Sequence, residues 1–456
     1  MKHSAALTNL AHCPKCGGEL EVSQEKNLSC KECSTVYPEL GGIPWLYSDS
    51  QYVQADWKNR FDYFLQLNQT EIQRLKLEQL GDHLLESTKK RLSKLIQAKV
   101  EHGKEVAKAI APIVSNDAGD PAIHQATGTK LPNTQALMSY YDNICRDWSY
   151  GDEENLACLN TIKGVLNTQD LGTLGVLGSG ACRLAYDIHT ELNVENTINV
   201  DINPFLFFVA QRLIDGKSVN LYEFPMAPKN MESTAIKLKC KAPQPLKDNF
   251  HFVLSDAMNP SFRDGAFDTL LTPWLIDIVH QDIRQQFKRY NRITKMGGRW
   301  INFGSLSFFH SLTSICYSLE ETLEIVAEAG FEVENYSHEE IPYLHSPYSN
   351  QKRMERVLCF SAKKVKEIDQ PQEGFSYQAK WLENIDKPIP LSQGIQQQTM
   401  VHSTLKELFA LVDGKRSLRD IAKAADFLGV PEDNAILIVK NVLEKYFDDS
   451  LQGRQF

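Results

Sequence analysis

The chain has 456 residues, 42% of them hydrophobic and 23% charged, with a formal net charge of −9 at pH 7. That length predicts roughly two to four domains rather than one core. The acidic balance offers phosphate no global positive field, which argues against nonspecific nucleic-acid or anionic-membrane partners. No apolar run approaches the roughly 20 residues that cross a bilayer. The N-terminus lacks the apolar core of a secretory signal and runs straight into cysteines. Six of the ten cysteines are scattered singly, a usage that suits a reducing cytoplasm better than a disulfide framework.

Cys13-Pro14-Lys15-Cys16 and Cys30-Lys31-Glu32-Cys33 form two C-x-x-C knuckles. Each short turn presents two thiolates to one metal, and a connecting hairpin brings the pairs into a single tetrahedral site. Gly17 and Gly18 follow the first knuckle, where backbone amides turn back toward sulfur. Four thiolates close the site, so Cys13, Cys16, Cys30 and Cys33 are expected to hold a structural Zn2+ that builds the fold and performs no chemistry. Two separate redox pairs would need a strand–helix context that is missing here. The following stretch, Y-P-E-L-G-G-I-P-W-L from Tyr37 to Leu46, makes residues 1–50 resemble the small zinc-binding proteins that activate certain methyltransferases. Acids are at least as frequent as bases between the knuckles, which favours scaffolding or docking over nucleic-acid binding.

In residues 51–139 apolar side chains recur at helical spacing. Leu77, Leu80, Leu84, Leu85, Leu92, Leu95 and Ile96 make an interrupted stripe between lysines and glutamates. The pattern predicts two amphipathic helices, broken near Gly81 and again near Gly103, with the stripe in the core. Residues 115–133 are polar with Gly and Pro and read as a linker.

From Leu174 to Arg183 the chain reads L-G-V-L-G-S-G-A-C-R, a short apolar strand entering a glycine turn. A helix is expected over Leu184–Leu192, then a second strand, Thr197–Asp201, ending on an acid. Open α/β sheets bind nucleotide-like ligands with such a unit. Gly178 and Gly180 allow close backbone approach, and Asp201 is placed to grip ribose hydroxyls. A dinucleotide site would want a third glycine where Arg183 stands, so S-adenosylmethionine, which carries no phosphate, suits the turn better than NAD. His251–Ala257 reads as a buried strand leading to Asp256, placed for the adenine amino group, with Ala257 beside it. Phe267–Trp274 is the next strand, with Pro273 at its end, and Lys295–Gly304 is a glycine turn feeding another. Ligand groups at successive strand ends follow the crevice rule for open sheets.

The stretches L-I-D-I-V-H (Leu275 to His280) and G-G-R-W-I-N-F-G-S-L-S-F-F-H (Gly297 to His310), with I-C-R-D-W-S upstream (Ile144 to Ser149), resemble the carnosine N-methyltransferase family from about Tyr140 to Lys364. The resemblance implies an α/β, Rossmann-like class I methyltransferase domain over 140–366. It implies that Asn143 and Arg146 touch the cofactor, with Gly178, Asp201 and Asp256. It further implies that Asp277 and His310 hold an acceptor imidazole. A carboxylate that accepts one ring N–H fixes the tautomer and leaves the other nitrogen free to attack a methyl sulfonium. For Asp277 the residues alone leave open a helix cap, and for His310 an ordinary satisfied polar side chain. The chain departs from the family at Cys182, where a glycine is usual, and at Lys352–Arg356, where tyrosines are usual. Tyr343, His345 and Tyr348 lie nearest to the missing tyrosines, and Tyr343 and Tyr348 are taken as candidate acceptor contacts.

Residues 367–400, rich in Gln and Pro, read as a second linker. Beyond them, 401–456 show a helix, an Asp413-Gly414 turn, a helix opening at Ser417 and a third amphipathic run from Pro431 to Phe447. This small helical domain resembles a PqqD-like or winged-helix module, a kind that can hold a peptide or protein partner; a stabilising or dimerising bundle fits equally. The function expected from the whole is methyl transfer from S-adenosylmethionine to an imidazole nitrogen of a small molecule or peptide. Two rivals stand beside it: a different metabolite or protein acceptor, and a non-catalytic binding protein assembled through its two ends.

Overall fold

The first fifty residues fold into hairpins too small to bury a core of their own. β1 (Leu20–Val22), β2 (Leu28–Cys30) and β3 (Val36–Tyr37) form one antiparallel sheet, and β4 (Glu39–Leu40) pairs with β5 (Ile43–Pro44). In the computed structural model, residues 2–23, 27–48, 50–114, 136–246, 248–279, 282–310, 312–370, 393–413 and 415–452 are described. Both expected linkers, 115–133 and most of 367–400, fall outside these residues. Met1–Gln372 forms one compact unit and Glu373–Phe456 another.

Further strands follow in the first unit: β6 (Asp170–Leu177), β7 (Asn193–Asp201), β8 (Val219–Glu223), β9 (Ile236–Cys240), β10 (Phe250–Leu254), β11 (Phe267–Pro273), β12 (Thr294–Gly304), β13 (Phe331–Tyr343) and β14 (Arg353–Lys364). Seven of them make the central sheet in the order β10-β7-β6-β11-β12-β14-β13, with β14 antiparallel to both its neighbours and the other ladders parallel. Counted along the chain that order is 3-2-1-4-5-7-6, the Rossmann-like arrangement of class I methyltransferases. The central strands are apolar on both faces, as strands covered by helices on both sides must be. The helix Pro204–Ile214 starts where Asn203 accepts the Phe205 N–H, has proline in its first turn, and buries nearly every side chain. The order reverses between β6 and β11, and there the strand ends open a crevice.

The ribbon continues this sheet. Trp45 pairs in parallel with Leu254 of the edge strand β10, and the Leu46 N–H donates to the Leu254 carbonyl at 2.8 Å. The His12 N–H reaches the Ser261 carbonyl at 3.0 Å, and the Arg263 N–H the Leu10 carbonyl at 2.9 Å. Leu7, Leu20, Leu28 and Tyr37 share one buried cluster with Leu177, Val200 and Val253, while Trp45 and Tyr47 join the core on the other face. The edge of the sheet is thereby covered, which removes a row of unpaired backbone groups.

The helices Ser50–Gln79 and Glu86–Ala109 break near Gly81 as expected, but Gly103 lies inside the second helix. A Cβ at Gly103 would stand 2.8 Å from Asn68 Nδ2, so the glycine permits close packing of the pair and interrupts nothing. The expected core stripe also needs correction. Leu92 is buried, but Leu77, Leu80 and Leu85 are 70–76% exposed, because the hairpin tip extends past the body it packs on. Among the described residues no helix is long and apolar enough to cross a membrane.

In the second unit the helices Gln393–Ala410, Leu418–Ala424 and Glu432–Gln452 gather around Leu408, Ile421, Ala422, Ala435 and Val439. Ser417 and Asp420 form a reciprocal capping box at the expected helix start. The first helix takes in 393–400, part of the expected linker, since glutamine is a fair helix former. Among the described residues this unit has no strand and so shows no wing.

Candidate cofactor and acceptor site

A cavity of about 670 Å3 opens where β6, β7, β10 and β11 end. Small-ligand pockets commonly fall between about 300 and 1,000 Å3. All eight candidate cofactor residues line it: Asn143, Arg146, Gly178, Gly180, Asp201, Asp256, Ala257 and Pro273. None of the four acceptor candidates, Asp277, His310, Tyr343 and Tyr348, does so.

The turn after β6 needs its glycines for different reasons. Gly178 has φ +69° and a Cβ there would stand 2.9 Å from Leu275 Cδ1, whereas Gly180, at φ +55°, has open space beside it. Cys182 occupies the left-handed region at φ +63°, which explains why glycine is usual at this position; its thiol is fully buried. Arg183 lines the cavity but is committed elsewhere. Its Nε donates to both oxygens of Asp187 at 2.9 and 3.0 Å, and its guanidinium lies 5.4 Å from the Trp148 ring centroid.

Asp201 joins the two halves of the motif. One oxygen accepts the Gly180 N–H and the other the Asn203 N–H, both at 2.8 Å, and each keeps lone-pair capacity for a ligand hydroxyl. Burial pushes its carboxyl up to about 6, against the pull of these backbone donors. Asp256 accepts the Met258 N–H at 2.8 Å in the loop after β10. Buried Arg146 is held by Asp147 at 2.6 Å and Glu154 at 3.4 Å, and Asn143 donates to the Tyr343 hydroxyl at 3.1 Å. Ser255 Oγ, buried in the same wall, has no hydrogen-bond partner among the described residues. Glycine backbone, two carboxylates, an orphaned hydroxyl and no uncommitted cation on the turn fit an adenosine-bearing, phosphate-free ligand.

Asp277 lies just beyond β11 and is 7% exposed. One of its oxygens accepts Ser305 Oγ at 2.5 Å and the Ser307 N–H at 3.0 Å, both from the segment leaving β12. It caps no helix: the next one, Ile283–Ile293, is capped by Asp282. Burial raises the Asp277 carboxyl above the usual carboxylate range. His310 Nδ1 accepts the Leu312 N–H at 3.0 Å. Tyr343 borders the cavity wall, its ring 4.8 Å from Trp274, while Tyr348 packs edge-on against Tyr150 at 6.4 Å.

Several lining residues escape sequence reasoning. Tyr140, 44% exposed at φ +63°, and Trp274, at φ +50°, sit in strained backbone on the cavity rim. Pro14, Leu46, Tyr47, Ser48 and Val53 come from the ribbon and the helix after it. No local pattern carries that information, since it depends on docking across the chain.

The four knuckle sulfurs gather as the spacing predicts. All lie within 4.8 Å of one another, with Cys13 to Cys33 at 3.7 Å and Cys16 to Cys30 at 3.5 Å. Tetrahedral thiolates about 2.3 Å from zinc stand about 3.8 Å apart, so the cluster is compatible with zinc. The Tyr37 hydroxyl lies 2.9 Å from Cys13 Sγ and Thr35 Oγ1 3.2 Å from Cys33 Sγ, the outer hydrogen bonds such a site needs.

A family model described as carnosine N-methyltransferase matches residues 123–366. No curated protein sequence matches the chain. Solved structures similar to it include a chain of the complex between the Haloferax volcanii methyltransferase activator and its candidate methyltransferase, 13% identical with a TM-score of 0.32 over 50% of this chain and 94% of that one. A candidate methyltransferase of Bacillus halodurans is 11% identical, TM-score 0.31, over 46% and 99%. The Haemonchus contortus phosphoethanolamine N-methyltransferase 2, in complex with S-adenosyl-L-methionine, is 14% identical, TM-score 0.32, over 51% and 61%. The family model covers more than half of the sequence, including every strand of the central sheet and every cavity residue named from that sheet. The chain therefore belongs to the carnosine N-methyltransferase family of S-adenosylmethionine-dependent methyltransferases.

Proposed function

We propose that this methyltransferase modifies an imidazole nitrogen of a histidine-containing small molecule or peptide. The observation that carries the reading is Asp277, a buried carboxylate at the end of β11 that receives both serine bonds on one oxygen and leaves the other for a ligand. S-adenosylmethionine, when bound, would supply an electrophilic methyl group, its sulfur–methyl bond breaking to leave the neutral thioether S-adenosylhomocysteine. Asp201 would hold the ribose, Asp256 the adenine amino group, and the backbone at Gly178 and Gly180 would lie against the amino-acid portion. Asn143 and Arg146 would close the cavity beneath it.

Asp277 would accept the N–H of the acceptor ring, so that the opposite nitrogen presents its lone pair to the methyl carbon. Once that nitrogen carries the methyl group, the ring holds a positive charge. The Asp277 carboxylate, with its raised proton affinity, is suited to take the ring N–H proton. His310, through its imidazole, and Tyr343, through its phenol, would orient the remainder of the acceptor. Holding the reactants in line supplies most of the acceleration in such a site. We further propose that the four-cysteine cluster holds zinc as a structural element, and that the C-terminal unit serves a partner or stability role.

The test is transfer of labelled methyl by the purified full chain to histidine, carnosine and histidine-containing peptides. Label on a ring nitrogen supports the reading. Label appearing only on another functional group, or on a protein substrate without histidine, overturns it.

A further inference from the structure

Five cavity-lining residues come from the zinc ribbon, the segment after it and the helix Ser50–Gln79: Pro14, Leu46, Tyr47, Ser48 and Val53. Pro14 lies inside the first metal knuckle, between Cys13 and Cys16. Leu46 to Ser48 follow the strand pairing that fastens the ribbon to β10, through Trp45 and Leu254. Tyr47 is 7% exposed, and its hydroxyl oxygen is buried with no hydrogen-bond partner among the described residues. Asp256 and Asp201 are the charged groups close enough to act on that hydroxyl. Buried polar groups are almost always satisfied in folded proteins, and an exception in a ligand cavity points to the ligand. Ser255 Oγ is a second such exception in the same wall.

We propose that Tyr47 is a cofactor-binding residue whose hydroxyl hydrogen-bonds the adenosine portion of S-adenosylmethionine, making the zinc ribbon one wall of the cofactor site. The proposal rests on the reading that Asp201 and Asp256 flank the adenosine. Between two acceptor-only carboxylates, a phenol adds what they lack. It donates to a ribose or purine acceptor and can also accept from a hydroxyl or amino group. The segment bearing Tyr47 is held at both ends, by the Leu46–Leu254 hydrogen bond and by Ser50 Oγ donating to the Tyr47 carbonyl at 3.2 Å. The knuckle that contains Pro14 shapes the same wall. Metal and cofactor therefore become thermodynamically linked: each tightens the other by the same factor.

The test uses the full zinc-loaded chain and S-adenosylhomocysteine as the calorimetric probe. Tyr47→Phe is expected to weaken binding about three- to tenfold, the range for one neutral hydrogen bond. The melting temperature of the ligand-free variant should hold or rise, because the deleted hydroxyl has no protein partner to lose. Binding as tight as in the wild type overturns the proposal, and so does weaker binding accompanied by a lowered ligand-free melting temperature. Asp201→Ala separates the two layers. If it binds like the wild type, the placement of adenosine fails; if it is weakened while Tyr47→Phe is not, only the role of Tyr47 fails. Saturating S-adenosylhomocysteine should tighten zinc binding severalfold in equilibrium competition against a chelator, and an unchanged zinc affinity overturns the linkage.

Discussion

Asp201 at the end of β7 accepts the backbone N–H of Gly180 at 2.8 Å, so the acid expected to grip ribose also holds the glycine turn in place. One side chain thus shapes both the floor and the rim of the cavity. Removing it loosens a turn as well as deleting a ligand contact.

Asp201→Ala is accordingly expected to weaken S-adenosylmethionine binding at least about tenfold, since a charge-assisted hydrogen bond contributes about 1.5–3 kcal/mol. Asp201→Asn should give a pH signature. Burial raises the Asp201 carboxyl to about 6, so its contribution to the stability of the ligand-free protein is fully present below the ordinary carboxylate range and is lost as pH rises through about 6. Cofactor binding needs the ionised acceptor and moves the opposite way, weakening as pH falls through about 6. Calorimetry from pH 5 to 8 should show that slope in the wild type and lose it in Asp201→Asn.

Asp277→Asn should leave cofactor affinity nearly intact and lower turnover by about 10²–10⁴, the range for a positioned acid–base group. Turnover in the wild type should fall as the pH drops through the raised pKa of Asp277, because the protonated acid accepts the ring N–H without the help of a negative charge and cannot take up its proton. His310→Ala should raise the KM for the acceptor more than it alters cofactor affinity. The two substitutions should be non-additive if both side chains hold one ring. Normal turnover in Asp277→Asn would remove that residue from the chemistry.

The glycine turn, the acid after the second strand and the paired knuckles are all legible in the sequence because each is a local pattern whose residues need few partners elsewhere. Six of the eight cofactor candidates meet in one cavity for the same reason, since the strand ends that carry them follow from sheet topology; Asn143 and Arg146 come from the helical turns before β6 and are named through the family resemblance. Tyr47 and Ser48 are not legible, since they reach the cavity only through docking of the ribbon on β10. Gly103 misleads because its missing side chain serves a helix neighbour, Asn68, which periodicity cannot see. The leucine stripe misleads likewise: spacing reports which face is apolar and is silent on where the packing partner ends.

That stripe yields a direct contrast. Leu77→Ser, at a position 70% exposed, should change stability by less than about 0.5 kcal/mol. Leu92→Ala, at a buried position of the same stripe, should cost about 2–4 kcal/mol. Denaturant titration of both variants decides the matter, and equal effects would contradict the projecting tip.

Cys182 invites a similar comparison. Cys182→Val places a β-branched side chain at φ +63° and should destabilise by about 2–3 kcal/mol. Cys182→Gly relieves the backbone but empties a buried thiol site, and the two effects should nearly cancel, to within about 1 kcal/mol. Thermal melts of both variants measure the difference.

Cys30→Ser should release the metal, and the damage should travel. Because Cys30 shares a buried cluster with Val200 and Val253, loss of the ribbon is expected to lower the melting temperature of the whole first unit and to weaken cofactor binding. Elemental analysis finding no zinc in protein purified without chelator would defeat this prediction at its first step.

The pairing of Trp45 with Leu254 also sets a timetable for synthesis. The ribbon leaves the ribosome before its docking strand, which follows about two hundred residues later, about 10–40 s at ordinary elongation rates. During that interval Trp45, Leu46 and Tyr47 have no sheet edge to pair with. A nascent chain that captures zinc early would keep the hairpins of the ribbon closed through the wait. One starved of metal would carry an unfolded, aromatic-rich segment through the synthesis of every helix that precedes β10 before its partner strand exists. Metal supply should then govern the yield of folded protein more strongly than it governs the stability of protein already folded.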